Sequence, residues 1–206
     1  MAPKNKFTRE EMVEAALRVV RGKGADALTA KALADELHIS TQPVFTCFGT
    51  MDALRTEVFA AAEKLFVEYV QRGLQEEIPF LGFGMHYISF AKEEPALYRL
   101  LLLSPNAAEK LESLGVVEHV SRVVCPRLVR LYRITEPEAK RYFHDMWLVA
   151  HSIATLSVTG VTFREEELRQ TLAGFSVGVL RSIKEIPGFV DGTFDKDAIF
   201  KKLVGE

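Results

Sequence analysis

The sequence predicts an all-α fold in two parts, a three-helix head followed by a longer helical bundle. Three observations predict it. Apolar residues recur at i, i+3, i+4 and i+7 through most of the chain and rarely alternate. Helix-start signatures, a Thr followed three residues later by Glu, stand at Thr8 with Glu11, Thr135 with Glu138 and Thr162 with Glu165. Residues 28–54, LTAKALADELHISTQPVFTCFGTMDAL, read as two short helices joined by a tight turn, then the start of a third. That arrangement is a helix-turn-helix, whose second helix can lie in a DNA major groove.

In chain order, Phe7 precedes the Thr8 cap and Met12 takes the fourth helical position, the pairing of a hydrophobic staple. Val13, Ala16, Leu17 and Val20 make the first helix amphipathic, and Gly22-Lys23-Gly24 ends it. Thr29 caps a two-turn helix whose apolar side is Ala30, Leu33, Ala34 and Leu37. Ser40 or Thr41 caps the next, Pro43 is tolerated in its first turn, and Val44 and Phe48 face inward. The fourth helix, from Met51 to about residue 75, is long enough to leave the head and enter the bundle, with Leu54, Val58, Leu65 and Tyr69 along one side. The head is therefore residues 1–52 and the second domain residues 53–206. The first six residues read as a polar arm.

Beyond residue 75 the helical period continues. Residues 80–93 form one helix and 95–103 a short second, Ser104-Pro105 breaks the chain, and 106–133 is helical with a kink at Cys125-Pro126. The capping signatures at Thr135 and Thr162 open two long helices, Pro187-Gly188 stops the second, and a short helix begins near Asp195. Each long helix has two apolar stripes. One pair is Tyr142, Met146, Val149, Ile153, Leu156 and Trp147, His151, Ala154, Val158; the other is Leu168, Leu172, Phe175, Val179, Ile183, Ile186 and Ala173, Val177, Leu180. A helix apolar on two faces is buried on two faces, one of which can meet a second copy of the chain.

The totals narrow the function classes. An apolar fraction of 48% supports a packed core, and a net charge of −2 means that any DNA affinity comes from a local patch. Residues 1–56 hold eight Lys and Arg against seven Asp and Glu, a weak electrostatic footprint. Two cysteines and no signal peptide fit a reducing cytoplasm, and no apolar run is long enough to span a membrane. There is no glycine-rich phosphate loop, CxxC, HExxH or paired-carboxylate motif, so no catalytic residue, cofactor or metal is expected.

The region from Thr8 to about Tyr69 resembles the DNA-binding domain of the TetR (AcrR-like) regulators. The residues that carry the resemblance are Ala15-Ala16, Gly22 and Gly24, Thr29, Ser40, Phe45, Phe48, Met51 and Leu54. The resemblance implies a dimer paired through the last two long helices, a duplex operator as partner, and a small-molecule effector held among the middle helices. DNA-facing candidates are Thr29, Thr41, Gln42, Pro43, Phe45, Thr46, Cys47 and Met51. Gln42 suits adenine, and Thr41 and Pro43 suit base edges and a thymine methyl. Two positions depart from the family: Phe45 replaces the usual tyrosine and Met51 the usual lysine, removing a hydroxyl and a charge from the phosphate contacts.

Effector candidates are Phe83, Tyr87, Phe90, Leu102, Arg127, Trp147 and His151, with His86 and His119 as further polar anchors. Dimer-interface candidates are Tyr142, Val149, Ile153, Leu172, Phe175, Val179 and Ile183. The expected function is a ligand-responsive repressor that binds a pseudo-palindromic operator and is released by an apolar or amphipathic effector. The alternative is a helical ligand- or protein-binding dimer whose head no longer reads DNA.

Overall fold

The computed structural model of the chain describes residues 7–103 and 115–205. Among them are ten α-helices and no strand. The head comprises α1 (Arg9–Lys23), α2 (Ala30–Leu37) and α3 (Gln42–Phe48). Helix α4 (Met51–Gly73) leads into a bundle of α5 (Pro79–Glu93), α6 (Pro95–Tyr98), α7 (Gly115–Tyr132), α8 (Glu136–Val158) and α9 (Glu165–Glu185), with α10 (Lys196–Val204) at the end. No helix among the described residues is long and apolar enough to cross a membrane.

Several expected starts are as read. Thr8 and Glu11 form a reciprocal capping box on α1, Thr135 and Glu138 another on α8, and Thr29, Thr50 and Asp195 each accept the backbone N–H three residues on. Others differ. Helix α9 starts at Glu165, so the signature at Thr162 is not used; Arg164 is the cap residue, and Glu165, Glu166 and Glu167 fill the positive end of the dipole instead. Thr41 precedes α3 without a side-chain cap. Helix α7 runs on through Pro126, where an interruption was expected; Pro126 and Arg122, one turn before it, are both exposed, so the carbonyl left without a partner lies on the solvated side. The stretch 95–103 is one α-turn followed by a wide turn at Arg99–Leu103. The polar arm, the Ser104-Pro105 break and the chain from Asn106 lie outside the described residues.

One apolar core runs through both parts. Helix α4 is the reason: Leu54 and Val58 pack in the head, Phe66 and Val70 in the bundle, and the helix passes unbroken across the expected boundary at residues 52 and 53. Its far end is fixed three ways. Arg127 on α7 donates to the Leu74 carbonyl at 2.6 Å, Tyr69 donates to Glu93 at 2.6 Å, and Gly73 meets Gly82 of α5 so closely that a Cβ on either would strike the other's carbonyl oxygen. His119 on α7 pairs with Glu63 at 3.1 Å midway along it.

Candidate functional site

At the front of the molecule, α3 is amphipathic over only seven residues. Val44 and Phe48 are buried, while Thr41, Gln42, Phe45 and Thr46 are exposed and share one face at i, i+4 spacing. Phe45 is 46% exposed, an aromatic ring presented to solvent on a short helix. Thr29 is exposed at the start of α2. Its oxygen accepts the Ala32 N–H at 3.1 Å, leaving its own O–H free to donate. Pro43, Cys47 and Met51 are half-buried, with Cys47 and Met51 turned against the core.

The pose of α3 is held from behind. The Arg9 guanidinium donates to the Cys47 carbonyl at the end of α3, lies 4.6 Å over the Phe48 ring, and grips both carboxylate oxygens of Glu57 at 2.9 Å through Nε. That pairing raises the Arg9 pKa, through hydrogen bonding to Glu57 first. His38 ends α2 in the left-handed region, φ 54°, which sets the turn into α3. Two exposed cations were not among the sequence candidates: Lys31 in the first turn of α2, and Arg55, which sits one turn beyond Met51 and bonds Asp52 at 2.9 Å. The i, i+4 spacing from Met51 to Arg55 is the signal that would have found the second.

Inside the bundle a compact polar cluster sits among aromatic rings. The hydroxyls of Tyr87 on α5 and Tyr98 on α6 both lie 3.0 Å from His151 Nδ1 on α8. Trp147 Nε1 donates to the Tyr87 oxygen at 3.2 Å, and its ring stacks on His151 with centroids 5.2 Å apart. Thr155 Oγ1 is 3.0 Å from the Tyr98 hydroxyl. Nδ1 has one lone pair and accepts from only one tyrosine; Tyr98 has Thr155 and the His151 carbonyl, at 3.3 Å, as alternatives. Burial pushes the Tyr87 phenol well above its ordinary value and that of Tyr98 up to about 12, and burial pulls the His151 imidazole down. The cluster is therefore neutral at pH 7.

Of the effector candidates, Tyr87, Trp147 and His151 meet in this cluster, and Tyr98 and Thr155 join it without having been anticipated. Phe83, Phe90 and Leu102 are buried apolar residues. Arg127, His86 and His119 lie elsewhere as structural ties: Arg127 and His119 hold α4, and His86 pairs with Glu76 at 3.0 Å.

Leu148 and Leu156 on α8 and Phe175 and Val177 on α9 are all exposed, as are Ala173, Gly174 and Gly178. Phe175 is 51% and Val177 66% exposed. Val149 and Val179 are half-buried at the margin. Tyr142, Ile153, Leu172 and Ile183 are a correction to the expected interface: they are buried within their own chain, with Tyr142 hydrogen-bonded to Ser176 at 2.5 Å and edge-on to Phe80 at 4.7 Å. On α9 Leu168, Leu172 and Ile183 fill the chain's own core while Phe175, Ala173 and Val177 stay exposed; on α8 residues of both stripes, Tyr142, Met146, Ile153, Trp147 and Ala154, are buried and Leu156 is exposed.

Solved structures share this architecture. A TetR-family member from Streptomyces coelicolor superposes with a TM-score of 0.62 at 19% identity, covering 84% of this chain and 98% of that one. The chain has the TetR-family fold. Two further TetR-fold regulators, from Mesorhizobium loti (TM-score 0.54, 16% identity, 86% and 97% covered) and Thermus thermophilus (0.52, 18%, 85% and 96%), agree. No protein-family model and no curated protein matches the sequence. Within the TetR fold, α2 and α3 form the helix-turn-helix expected from residues 28–54.

Proposed function

We propose that this chain is a cytoplasmic, ligand-responsive transcriptional regulator, a repressor that binds a pseudo-palindromic duplex operator as a homodimer. The observation that carries the reading is the exposed face of α3, with Thr41, Gln42, Phe45 and Thr46 standing clear of the core at the free end of α4. Gln42 suits bidentate pairing with an adenine edge, and Phe45 suits a thymine methyl. Phosphate contacts come from Thr29, helix N-terminal amides and the cations Lys31 and Arg55. The outward face of α8 and α9 pairs two copies, and the Tyr87–Tyr98–Trp147–His151 cluster is where a small, largely apolar effector with one polar group is recognised. Ligand binding favours a form whose two α3 helices no longer match successive major grooves, about 34–36 Å apart.

The test is fluorescence anisotropy of labelled duplexes covering the promoter of the chain's own gene. Binding that distinguishes one duplex from a scrambled one at low salt is expected; equal affinity for both rejects the reading. The second reading, a dimer whose head no longer reads DNA, is favoured by the half-buried, uncharged Met51. It expects that Phe45→Tyr with Met51→Lys creates sequence-dependent binding absent from the parent.

A further inference from the structure

The hydrogen bonds of the interior cluster fix which nitrogen of His151 carries a proton. Trp147 Nε1 can only donate, so the Tyr87 oxygen accepts from it at 3.2 Å. Tyr87 is buried, so its own O–H needs an acceptor. The acceptor in place is His151 Nδ1 at 3.0 Å. Tyr98, also 3.0 Å from Nδ1, donates instead to Thr155 Oγ1 or to the His151 carbonyl. Nδ1 therefore presents its lone pair to Tyr87. The imidazole is neutral, since burial lowers its pKa, and its one proton sits on Nε2.

The Nε2–H bond leaves the ring at the edge away from both phenols. It has no hydrogen-bond partner among the described residues. Every fully buried side-chain nitrogen and oxygen among them has one, so Nε2 is open to solvent on a half-buried ring. The donor is held in one pose. Trp147 stacks on the imidazole with centroids 5.2 Å apart, Tyr98 lies tilted against it at 5.9 Å, and turning the ring over would set carbon against the two hydroxyls. The other donors of the cluster are engaged with one another, and none of its side chains is charged. What it offers to a molecule from outside is one oriented, neutral N–H among aromatic rings.

We propose that the effector is a neutral molecule with a carbonyl oxygen on an apolar body, and that His151 Nε2–H is the group that reads it. This rests on the reading of the cluster as the effector site, and it names the polar group that reading requires. A carbonyl accepts and brings no hydrogen that needs an acceptor of its own. An ammonium brings only donors to a donor. A carboxylate loses its hydration with no cation in the cluster to pair with.

The first measurement needs no ligand. In long-range proton–nitrogen NMR spectra of the wild-type chain at pH 7.5, His151 is expected as the Nε2–H tautomer, its signal identified by its absence from His151→Asn; the Nδ1–H tautomer overturns the proposal. The second follows the emission of Trp147, the only tryptophan of the chain. The wild-type chain is titrated with linear methyl ketones of six to twelve carbons and with the amines and carboxylates of the same lengths. Ketones are expected to bind roughly tenfold more tightly than either, and to move the His151 Nε2 resonance as they do. If an amine or a carboxylate binds as well as the matching ketone, or a bound ketone leaves that resonance in place, the proposal is overturned and the cluster remains the effector site. If no probe changes the emission, the cluster is not an effector site and both readings fall.

Discussion

Gly82 and Gly73 meet backbone to backbone, and neither position tolerates a methyl group. Gly82→Ala forces α4 and α5 apart in a filled core, so it costs about 1–3 kcal/mol. Thermal unfolding of the variant checks this, at roughly 2–4 °C per kcal/mol for a domain of this size. His151 makes a prediction of opposite character. Its pKa is lowered by burial, so between that value and the ordinary imidazole value of about 6.5 the unfolded chain binds the proton and the native chain does not. Stability is therefore full above about pH 6.5 and falls as the pH drops below it. Denaturant titrations at pH 7.5 and 5.5 are expected to show a larger loss for the wild type than for His151→Asn. These residues also mark a limit of reading sequence. The tryptophan and histidine four apart on α8 were visible as a pair, and Thr155 follows at the same i, i+4 spacing, but Tyr98 comes from α6, and nothing local ties it to His151.

At the scale of elements, the short helix α6 ties distant parts of the chain together. It is one turn long. Glu94 at its start holds Arg21 of α1 through two hydrogen bonds, 2.7 and 2.8 Å, and Tyr98 at its end joins the interior cluster. The head and the cluster are thus four residues apart along the chain. Arg21→Gln breaks the pair. Because the pair is partly solvated, global stability changes by no more than about 1 kcal/mol. The effect appears instead as faster hydrogen exchange in the last turn of α1 with the bundle unchanged, measured by mass spectrometry. Element type and most starts were legible because capping chemistry is local: Thr8, Thr29, Thr50, Thr135 and Asp195 each act within three residues. The signature at Thr162 failed because three consecutive glutamates already suit the start of α9. The division of 95–103 into an α-turn and a wide turn left no mark in its apolar spacing.

For the whole molecule, the two-stripe pattern of α8 and α9 did not say which side of each helix faces outward, since that depends on where α5 lies. On α9 only Leu168, Leu172 and Ile183 turn inward, and Leu148, Leu156, Phe175 and Val177 are left exposed. On the proposed dimeric reading, Val177→Asp puts a charge on the exposed side of α9 and is expected to yield a monomer in sedimentation while the thermal melt of the fold is little changed. The rear of α4 has a further geometric consequence. It is held at Gly73 and at the Leu74 carbonyl, so a tilt about that end is carried to the head. At about 1.5 Å per residue its arm is roughly 34 Å, so a rotation of five degrees there sweeps α3 through an arc of about 3 Å. In the proposed dimer, two such arcs of opposite sense change the spacing of the two α3 helices by about 6 Å, enough to take both out of phase with a duplex.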